Sequence, residues 1–137
     1  MASSGDSSRI VLDSSAYSVF RTGSQDVLEA MAAATAVLVP TIVLGELEAG
    51  FRLGSHEKMN QQALEEFLEE PFVKVVSVTR AVSRTYGRIV HDLRKRGKPI
   101  PTNDIWIAAC TISSGATLVT LDTDFRNVRG LSRLVLR

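Results

Sequence analysis

Four acidic residues are the side chains in this sequence best suited to chemistry. Asp13 follows the apolar run IVL, and Asp122 comes two residues after the apolar run LVT. Glu46 lies within VPTIVLGELEAGF, and Asp104 lies between IPTN and IWIAAC. An unpaired charge is costly in apolar surroundings, so carboxylates that enter them need a partner. A shared divalent cation would be such a partner.

The available ligand atoms predict which metal the site would take. A site made only of carboxylate oxygens, with no thiolate or histidine set nearby, favours Mg²⁺ or Mn²⁺ over Zn²⁺. His56 and His91 stand alone in polar stretches and are interpreted as surface residues. The single cysteine, Cys110, lies in an apolar stretch and is interpreted as a buried thiol.

Four carboxylates carry more negative charge than one small ion needs, which suits a site that a phosphate substrate completes. The predicted chemistry is therefore metal-assisted hydrolysis at a phosphate group. Asp13, Asp104 and Asp122 would hold the metal, and Glu46 would hold or orient metal and water. Each acid taken alone also has a structural interpretation. Asp13 could cap a helix, Asp104 could complement a helix dipole at about 0.3–1 kcal/mol, and Asp122 could form a turn.

These acids must be positioned by short apolar strands that alternate with amphipathic helices. Ser14 and Ser15 are predicted to cap the first helix, and Thr102 and Asn103 the last, which Gly115 ends. The predicted strands cover residues 10–12, 36–39, 72–76, 118–120 and 134–136, and the other helices cover 26–34, a segment from 41, 56–70 and 79–95.

This alternation predicts an α/β fold with a parallel sheet covered on both faces. Right-handed crossovers place the carboxyl ends of all parallel strands at one edge, where such sheets bind their ligands. Asp13 and Asp122 follow strands, Glu46 lies about one turn after Pro40, and Asp104 lies in the first turn of a helix. We therefore expect the four acids to converge at this edge.

Composition is that of an ordinary globular protein. The chain has 137 residues, 45% of them hydrophobic and 23% charged, and a formal net charge of +1, which neither indicates nor excludes a nucleic-acid partner. We expect a flexible tail over residues 1–8 and a single domain over residues 9–137. The polar N-terminus has no apolar signal region, and no apolar run approaches the ~20 residues of a membrane span. A cytoplasmic location is therefore expected.

A basic stretch precedes the loop that leads to Asp104. Its central members are Arg94, Lys95, Arg96 and Lys98, which are predicted to contact the phosphates of an anionic substrate beside the acids. A solvated helix face is the alternative interpretation of this stretch. For Trp106, packing in the core or in a dimer is favoured over base stacking.

Four segments in this order resemble the PIN domain, and most of all VapC-type toxins of bacterial and archaeal toxin–antitoxin pairs. They are VLDSSA, PTIVLGELEAG, GKPIPTNDIWIAA and LVTLDTDF, and the resemblance spans about residues 9–136. It implies a three-layer α/β/α fold with a five-stranded parallel sheet and cleavage of single-stranded or looped RNA with Mg²⁺ or Mn²⁺. It also implies a homodimer and an antitoxin protein that covers the active groove.

The resemblance also assigns roles to single residues. Asp13, Glu46, Asp104 and Asp122 would form the metal site. Asp124 would assist or substitute for Asp122, and Ser14 and Thr120 would support the pocket.

Two alternatives stay open on the sequence. A receiver or an aspartyl phosphatase would also place an acid after the first strand, but Ser15 stands where the phosphatase pattern has a second aspartate. The other alternative is a PIN domain that binds RNA or protein without cutting. RNA binding without cleavage in Mn²⁺ would favour that second possibility.

Overall fold

The computed structural model describes residues 6–137, and its centre is a sheet whose strands all run parallel. The sheet order is β3-β2-β1-β4-β5, so β1 is the middle strand and lies between β2 and β4. The strands are β1 (Asp6–Leu12), β2 (Ala36–Pro40), β3 (Val73–Val76), β4 (Ala116–Thr120) and β5 (Arg133–Val135).

Helices connect the strands, as parallel pairing requires. A 3-10 helix, Thr123–Asn127, follows β4. The α-helices in the described part of the chain are α1 (Ser14–Arg21), α2 (Gln25–Ala33), α3 (Thr41–Leu53), α4 (Glu57–Leu68), α5 (Arg80–Lys95) and α6 (Thr102–Ser113).

The inner strands are buried on both faces. Val11 and Leu12 are consecutive in β1, and Leu118 and Val119 are consecutive in β4, yet all four have 0% exposure. Successive side chains of a strand point to opposite faces, so both faces of the sheet must be covered. This confirms the predicted α/β fold with a five-stranded parallel sheet.

The first strand begins earlier than predicted. Residues 6–8 belong to β1, whereas the sequence suggested a flexible tail over residues 1–8. The backbone explains the difference, because the carbonyl oxygen of Ser8 accepts hydrogen bonds from the amide (2.6 Å) and the hydroxyl (2.9 Å) of Thr35. Polar residues therefore extend this strand through backbone pairing. Residues 1–5 lie outside the described part of the chain.

Both predicted pairs of helix caps are wrong. Asp13 caps α1, and its side chain accepts a hydrogen bond from the amide of Ala16. Pro101 is the capping residue of α6 and makes no side-chain hydrogen bond there. In each case the capping residue precedes the predicted pair, so the predicted caps lie inside the helix. The side chains of Ser14 and Asn103 are therefore available for other contacts.

The remaining helices and strands lie within two residues of their predicted bounds. Gly115 ends α6 as predicted, and its backbone adopts a φ of 64°, which glycine tolerates best. The segment 122–127, predicted as a turn, forms the 3-10 helix. No helix among residues 6–137 is long and apolar enough to cross a membrane.

Candidate active site

Two of the predicted acids follow neighbouring strands at the centre of the sheet. Asp13 comes directly after β1, and Asp122 comes two residues after β4. The amide of Asp13 lies 3.4 Å from the carbonyl oxygen of Val119 in β4, so the two strand ends are joined. Because β2 and β4 flank β1 on opposite sides, the crevice where α/β sheets bind ligands opens at this point.

The carboxylate of Asp13 is held at both oxygens. Its Oδ1 accepts hydrogen bonds from the Ser15 hydroxyl at 2.7 Å and from the Ala16 amide at 2.9 Å, and its Oδ2 accepts one from the Thr120 hydroxyl. The residue is only 5% exposed. A buried carboxylate with several donors is fixed in one orientation. Asp13 is therefore both the helix cap and a rigid member of the acidic site.

Ser15 is a site residue that the sequence interpretation missed. Its hydroxyl donates to Asp13 and accepts a hydrogen bond from the Leu121 amide at 3.1 Å, so it connects α1 to the segment after β4. The available signal was its position two residues after Asp13, within reach of a capping carboxylate. Thr120 makes a similar connection, since its hydroxyl also accepts from the Asp122 amide at 3.0 Å.

Glu46 projects from α3 and is oriented from two directions. The Ser14 hydroxyl donates to its Oε1 at 3.0 Å, and the Asn103 amide donates to its Oε2 at 3.4 Å. Asn103 directly precedes Asp104 on α6. The contact therefore links the helix that carries Glu46 to the helix that carries Asp104.

Asp104 is half-buried in the first turn of α6 and is electrostatically strained. Its burial, which is the largest single cause, and the negative charges of neighbouring acids together raise the pKa of its carboxyl to about 6. Those acids are Asp122, Glu46, Asp13 and Asp124. Within residues 6–137 its carboxylate has no hydrogen-bond donor and no cation partner. The structure therefore brings the predicted acids within electrostatic reach of one another and leaves Asp104 without compensation.

The acids do not form a ready set of metal ligands as they stand. Among residues 6–137, no three Asp, Glu, His or Cys side chains are grouped so that they could hold one metal ion. The oxygens of Asp13 and Glu46 point to protein donors instead, and Oδ1 of Asp122 accepts from the Asp124 amide at 2.8 Å. The donor chemistry nevertheless fits a hard divalent cation, because all the charged side chains that raise the pKa of Asp104 are carboxylates.

The basic stretch divides into free and engaged cations. Arg94, Lys95 and Lys98 are exposed and have no ion pair with the described residues. Arg96 differs, because its Nε and Nη2 donate to Oδ2 of Asp92 at 3.0 and 2.7 Å, and its Nη2 also donates to the carbonyl oxygen of Asn127. Arg96 thus joins the end of α5 to the 3-10 helix, in contrast to its expected role in RNA binding.

Trp106 packs rather than presenting a free face. Its ring stacks on that of Tyr86 with the centroids 3.7 Å apart and the planes at 16°. This contact joins α6 to α5 and agrees with the expected packing role.

The model of the family described as "PIN domain" matches residues 10–131 of the 137. The chain belongs to the PIN-domain family. The resemblance predicted from its four acidic segments is thereby confirmed.

Several relatives of this PIN domain carry the name ribonuclease VapC. Ribonuclease VapC2 of Rickettsia felis is 28% identical over 109 residues, which cover 80% of this chain and 78% of that protein. Among solved structures, VapBC2 of Rickettsia felis bound to a promoter DNA fragment superposes with a TM-score of 0.83 at 24% identity, covering 94% and 99% of the two chains. VapBC-5 of Mycobacterium tuberculosis, a member of the VapBC family of toxin–antitoxin systems, gives 0.71 at 26% identity, covering 95% and 98%.

The phosphotransfer alternative gains no support from the comparisons. The family model that matches the chain is that of the PIN domain, and the relatives named above are ribonucleases and not receivers or phosphatases. Asp13 is held in one orientation by its hydrogen bonds from Ser15, Ala16 and Thr120.

Proposed function

We propose that this PIN domain is a metal-dependent endoribonuclease and the toxin of a VapBC-type toxin–antitoxin pair. The observation that carries the proposal is the position of Asp104. Its half-buried carboxylate has no donor among the described residues and lies in the field of four other acids. Such an arrangement costs free energy in the protein alone and is relieved by a bound divalent cation.

Asp13, Asp104 and Asp122 are the proposed metal ligands, Glu46 holds or orients metal and water, and Asp124 assists Asp122. Hard oxygen donors favour Mg²⁺ or Mn²⁺. When bound, such an ion polarises a phosphoryl oxygen and lowers the pKa of coordinated water.

The chain's own residues fix where these acids point. Thr120 and Ser15 hold Asp13 against the carboxyl end of β4, while Ser14 and Asn103 hold Glu46. Preorganised groups of this kind lower the cost of reorganisation during a reaction.

Exposed cations supply the contacts to the substrate backbone. Arg94, Lys95 and Lys98 have no ion pair with the described residues, so their charge is available to RNA phosphates. Arg96 is left out of this set because Asp92 and Asn127 engage it. Binding through these cations would weaken as salt concentration rises.

The proposed partners are an antitoxin protein and a second copy of this chain. The solved relatives, which are VapBC toxin–antitoxin proteins, support the antitoxin, and the second copy follows only from the resemblance to VapC-type toxins. An antitoxin that covers the acidic edge of the sheet would keep RNA from the site until it is removed.

The test is cleavage of labelled single-stranded and hairpin RNA by the purified chain with Mn²⁺, Mg²⁺ or EDTA. We expect cleavage with either metal and none in EDTA, leaving 5′-phosphate and 3′-hydroxyl ends. Asp104→Asn should abolish cleavage, whereas the control Asp26→Asn, which changes an exposed acid on α2, should cleave as the wild type does. RNA binding without any cleavage would support the non-catalytic alternative, and 2′,3′-cyclic phosphate ends would indicate a metal-free reaction.

A further inference from the structure

A cavity opens beside the acidic site between α1, α3 and α4. Its volume is about 400 Å³, within the range of ~300–1,000 Å³ typical of pockets for small ligands. Ser14 and Glu46 belong both to its wall and to the acidic site. A ligand in this cavity would therefore lie next to the acidic residues of the proposed active site.

Tyr17 is the most informative residue of the cavity wall. It is only 3% exposed, and its ring is fixed edge-on against Phe67, with the centroids 5.4 Å apart. Its hydroxyl nevertheless has no hydrogen-bond partner among residues 6–137. Every fully buried side-chain oxygen or nitrogen in the described part of the chain has a hydrogen-bond partner, so the Tyr17 hydroxyl keeps some accessible surface. Tyr17 lines the cavity. A polar group in such a position is ready to bind a ligand.

Three further polar side chains of the wall also lack hydrogen bonds with the described residues, whereas Ser14 and Glu46 pair with each other. The side chains of Ser18, Arg21 and Asn60 line the cavity and make no hydrogen bond or ion pair with residues 6–137. Asn60 offers both a donor and an acceptor on a planar amide, and Arg21 offers a cation. The rest of the wall includes the apolar side chains of Leu47 and Phe51.

This combination favours one part of a nucleic acid over a segment of protein. A nucleobase is flat, has apolar faces and carries donors and acceptors on its edge, which a tyrosine hydroxyl and an asparagine amide can recognise. The phosphates that flank such a base are anionic, which matches Arg21. Because Glu46 lines the cavity and also belongs to the acidic site, a base in the cavity would lie next to a phosphodiester bound at the acids.

We propose that this cavity receives one nucleobase of the RNA substrate, close to the cleaved bond, and that Tyr17 and Asn60 select which base enters. The proposal rests on the ribonuclease function proposed above and adds a source of sequence preference to it.

Two variants test the proposal in different ways. Tyr17→Phe removes only the hydroxyl and keeps the ring contacts that stabilise the fold. Gly50→Leu fills the cavity, and because no atom lies within 4 Å of a Cβ at this helical position, the change is compatible with folding. The matched controls are Tyr86→Phe, whose ring stacks on Trp106, and Gly87→Leu, where the Cβ would also meet no atom within 4 Å.

The first measurement is binding in EDTA, where cleavage cannot interfere. The probes are fluorescent six-nucleotide RNAs made of adenine, cytosine, uracil or 7-deazaguanine alone. For the wild type we expect the tightest and weakest probes to differ about fivefold in Kd, as one or two selective hydrogen bonds would give. Tyr17→Phe and Gly50→Leu should reduce this ratio below about twofold, while both controls keep it.

The second measurement sequences the ends produced from a random RNA pool in Mn²⁺. The wild type and both controls should show the same preferred base at one position beside the cut, and the two cavity variants should lose that preference. Equal binding of the four probes by the wild type would overturn the proposal, as would an unchanged ratio in both cavity variants. A weaker complex of Tyr17→Phe with the antitoxin, without a change in the RNA ratio, would assign the cavity to a protein segment and overturn it too. Base-selective binding without any Mn²⁺-dependent cut would support the cavity and count against the ribonuclease function.

Discussion

The hydroxyl of Thr120 donates a hydrogen bond to Oδ2 of Asp13, across the junction between β4 and β1. Thr120 is fully buried, and the same hydroxyl accepts a hydrogen bond from the amide of Asp122. A single side chain thus sets the orientation of one acid and the backbone position of another. This relationship connects the end of the sheet to the geometry of the proposed metal site.

Replacing Thr120 by valine tests that connection, because Thr120→Val keeps the shape and removes the hydroxyl. A buried carboxylate oxygen and a backbone amide would each lose a partner, so we expect a loss of about 1–3 kcal/mol in the free energy of unfolding. The Mn²⁺ concentration needed for half-maximal cleavage should also rise. Urea unfolding and a metal titration of the cleavage rate measure the two effects.

The matched control is Thr117→Val on the same strand. The Thr117 hydroxyl pairs with that of Ser132 at 2.8 Å, apart from the acids. This variant should change stability without changing the metal requirement. An equal change in metal requirement for both variants would contradict the role assigned to Thr120.

The raised pKa of Asp104 predicts how stability depends on pH. In the folded protein the pKa is about 6 against an ordinary value of 3.8, so between these values the folded chain holds a proton that the unfolded chain has lost. Folding is therefore favoured at the acidic end of this window, and the advantage disappears as the pH rises through 6.

Asp104→Asn removes this titration, together with the cost of burying the charge and the repulsion from neighbouring acids that cause it. In EDTA, the Tm of the variant minus that of the wild type should increase from pH 4 to pH 7, because only the wild type acquires the unfavourable charge. Thermal unfolding monitored by circular dichroism at several pH values measures the difference. A gap that stays constant over this range would show that Asp104 is not strained by its neighbours.

Arg96 offers a third prediction, since it ties α5 to the 3-10 helix that begins after Asp122. Arg96→Met would remove its hydrogen bonds to Asp92 and to the carbonyl oxygen of Asn127. We expect a small but measurable loss in the free energy of unfolding, because the side chains of Arg96 and Asp92 are partly exposed and solvent screens their ion pair.

The variant should also raise the Mn²⁺ concentration needed for cleavage, because the 3-10 helix carries Asp124 and follows Asp122 directly. Arg80→Met is the control, as Arg80 is exposed at the start of the same helix and has no ion pair with the described residues. If both variants behave alike in unfolding and in metal dependence, Arg96 has no positioning role.

The sequence was sufficient to predict the parallel sheet and to place the acids within electrostatic reach of Asp104, although no three of them form a set of metal ligands among residues 6–137. Apolar runs such as those ending at Leu12 and Thr120 specify strands that are buried on both faces, and the topology then brings their carboxyl ends together. Asp13 and Asp122 follow such runs directly, so their positions depend on few assumptions. Asp104 and Glu46 were recognisable because acids seldom occupy apolar helices.

The hydrogen-bond partners of these acids were not predictable in the same way. Ser15 and Asn103 were interpreted as helix caps from local preference, but Asp13 caps α1 and Asn103 reaches across to Glu46. Such contacts depend on side-chain directions set by the packing of separate elements. The engaged state of Arg96 likewise depends on the carbonyl of Asn127, which is distant in sequence and close only in the fold.

The most direct test of the proposed metal site is a calorimetric titration of the purified chain with Mn²⁺ at neutral pH, beside Asp104→Asn and the control Asp26→Asn. We expect the wild type and the control to bind Mn²⁺, and Asp104→Asn to bind it at least about tenfold more weakly. No measurable Mn²⁺ binding by the wild type, or equal binding by Asp104→Asn, would contradict a metal site built on these acids.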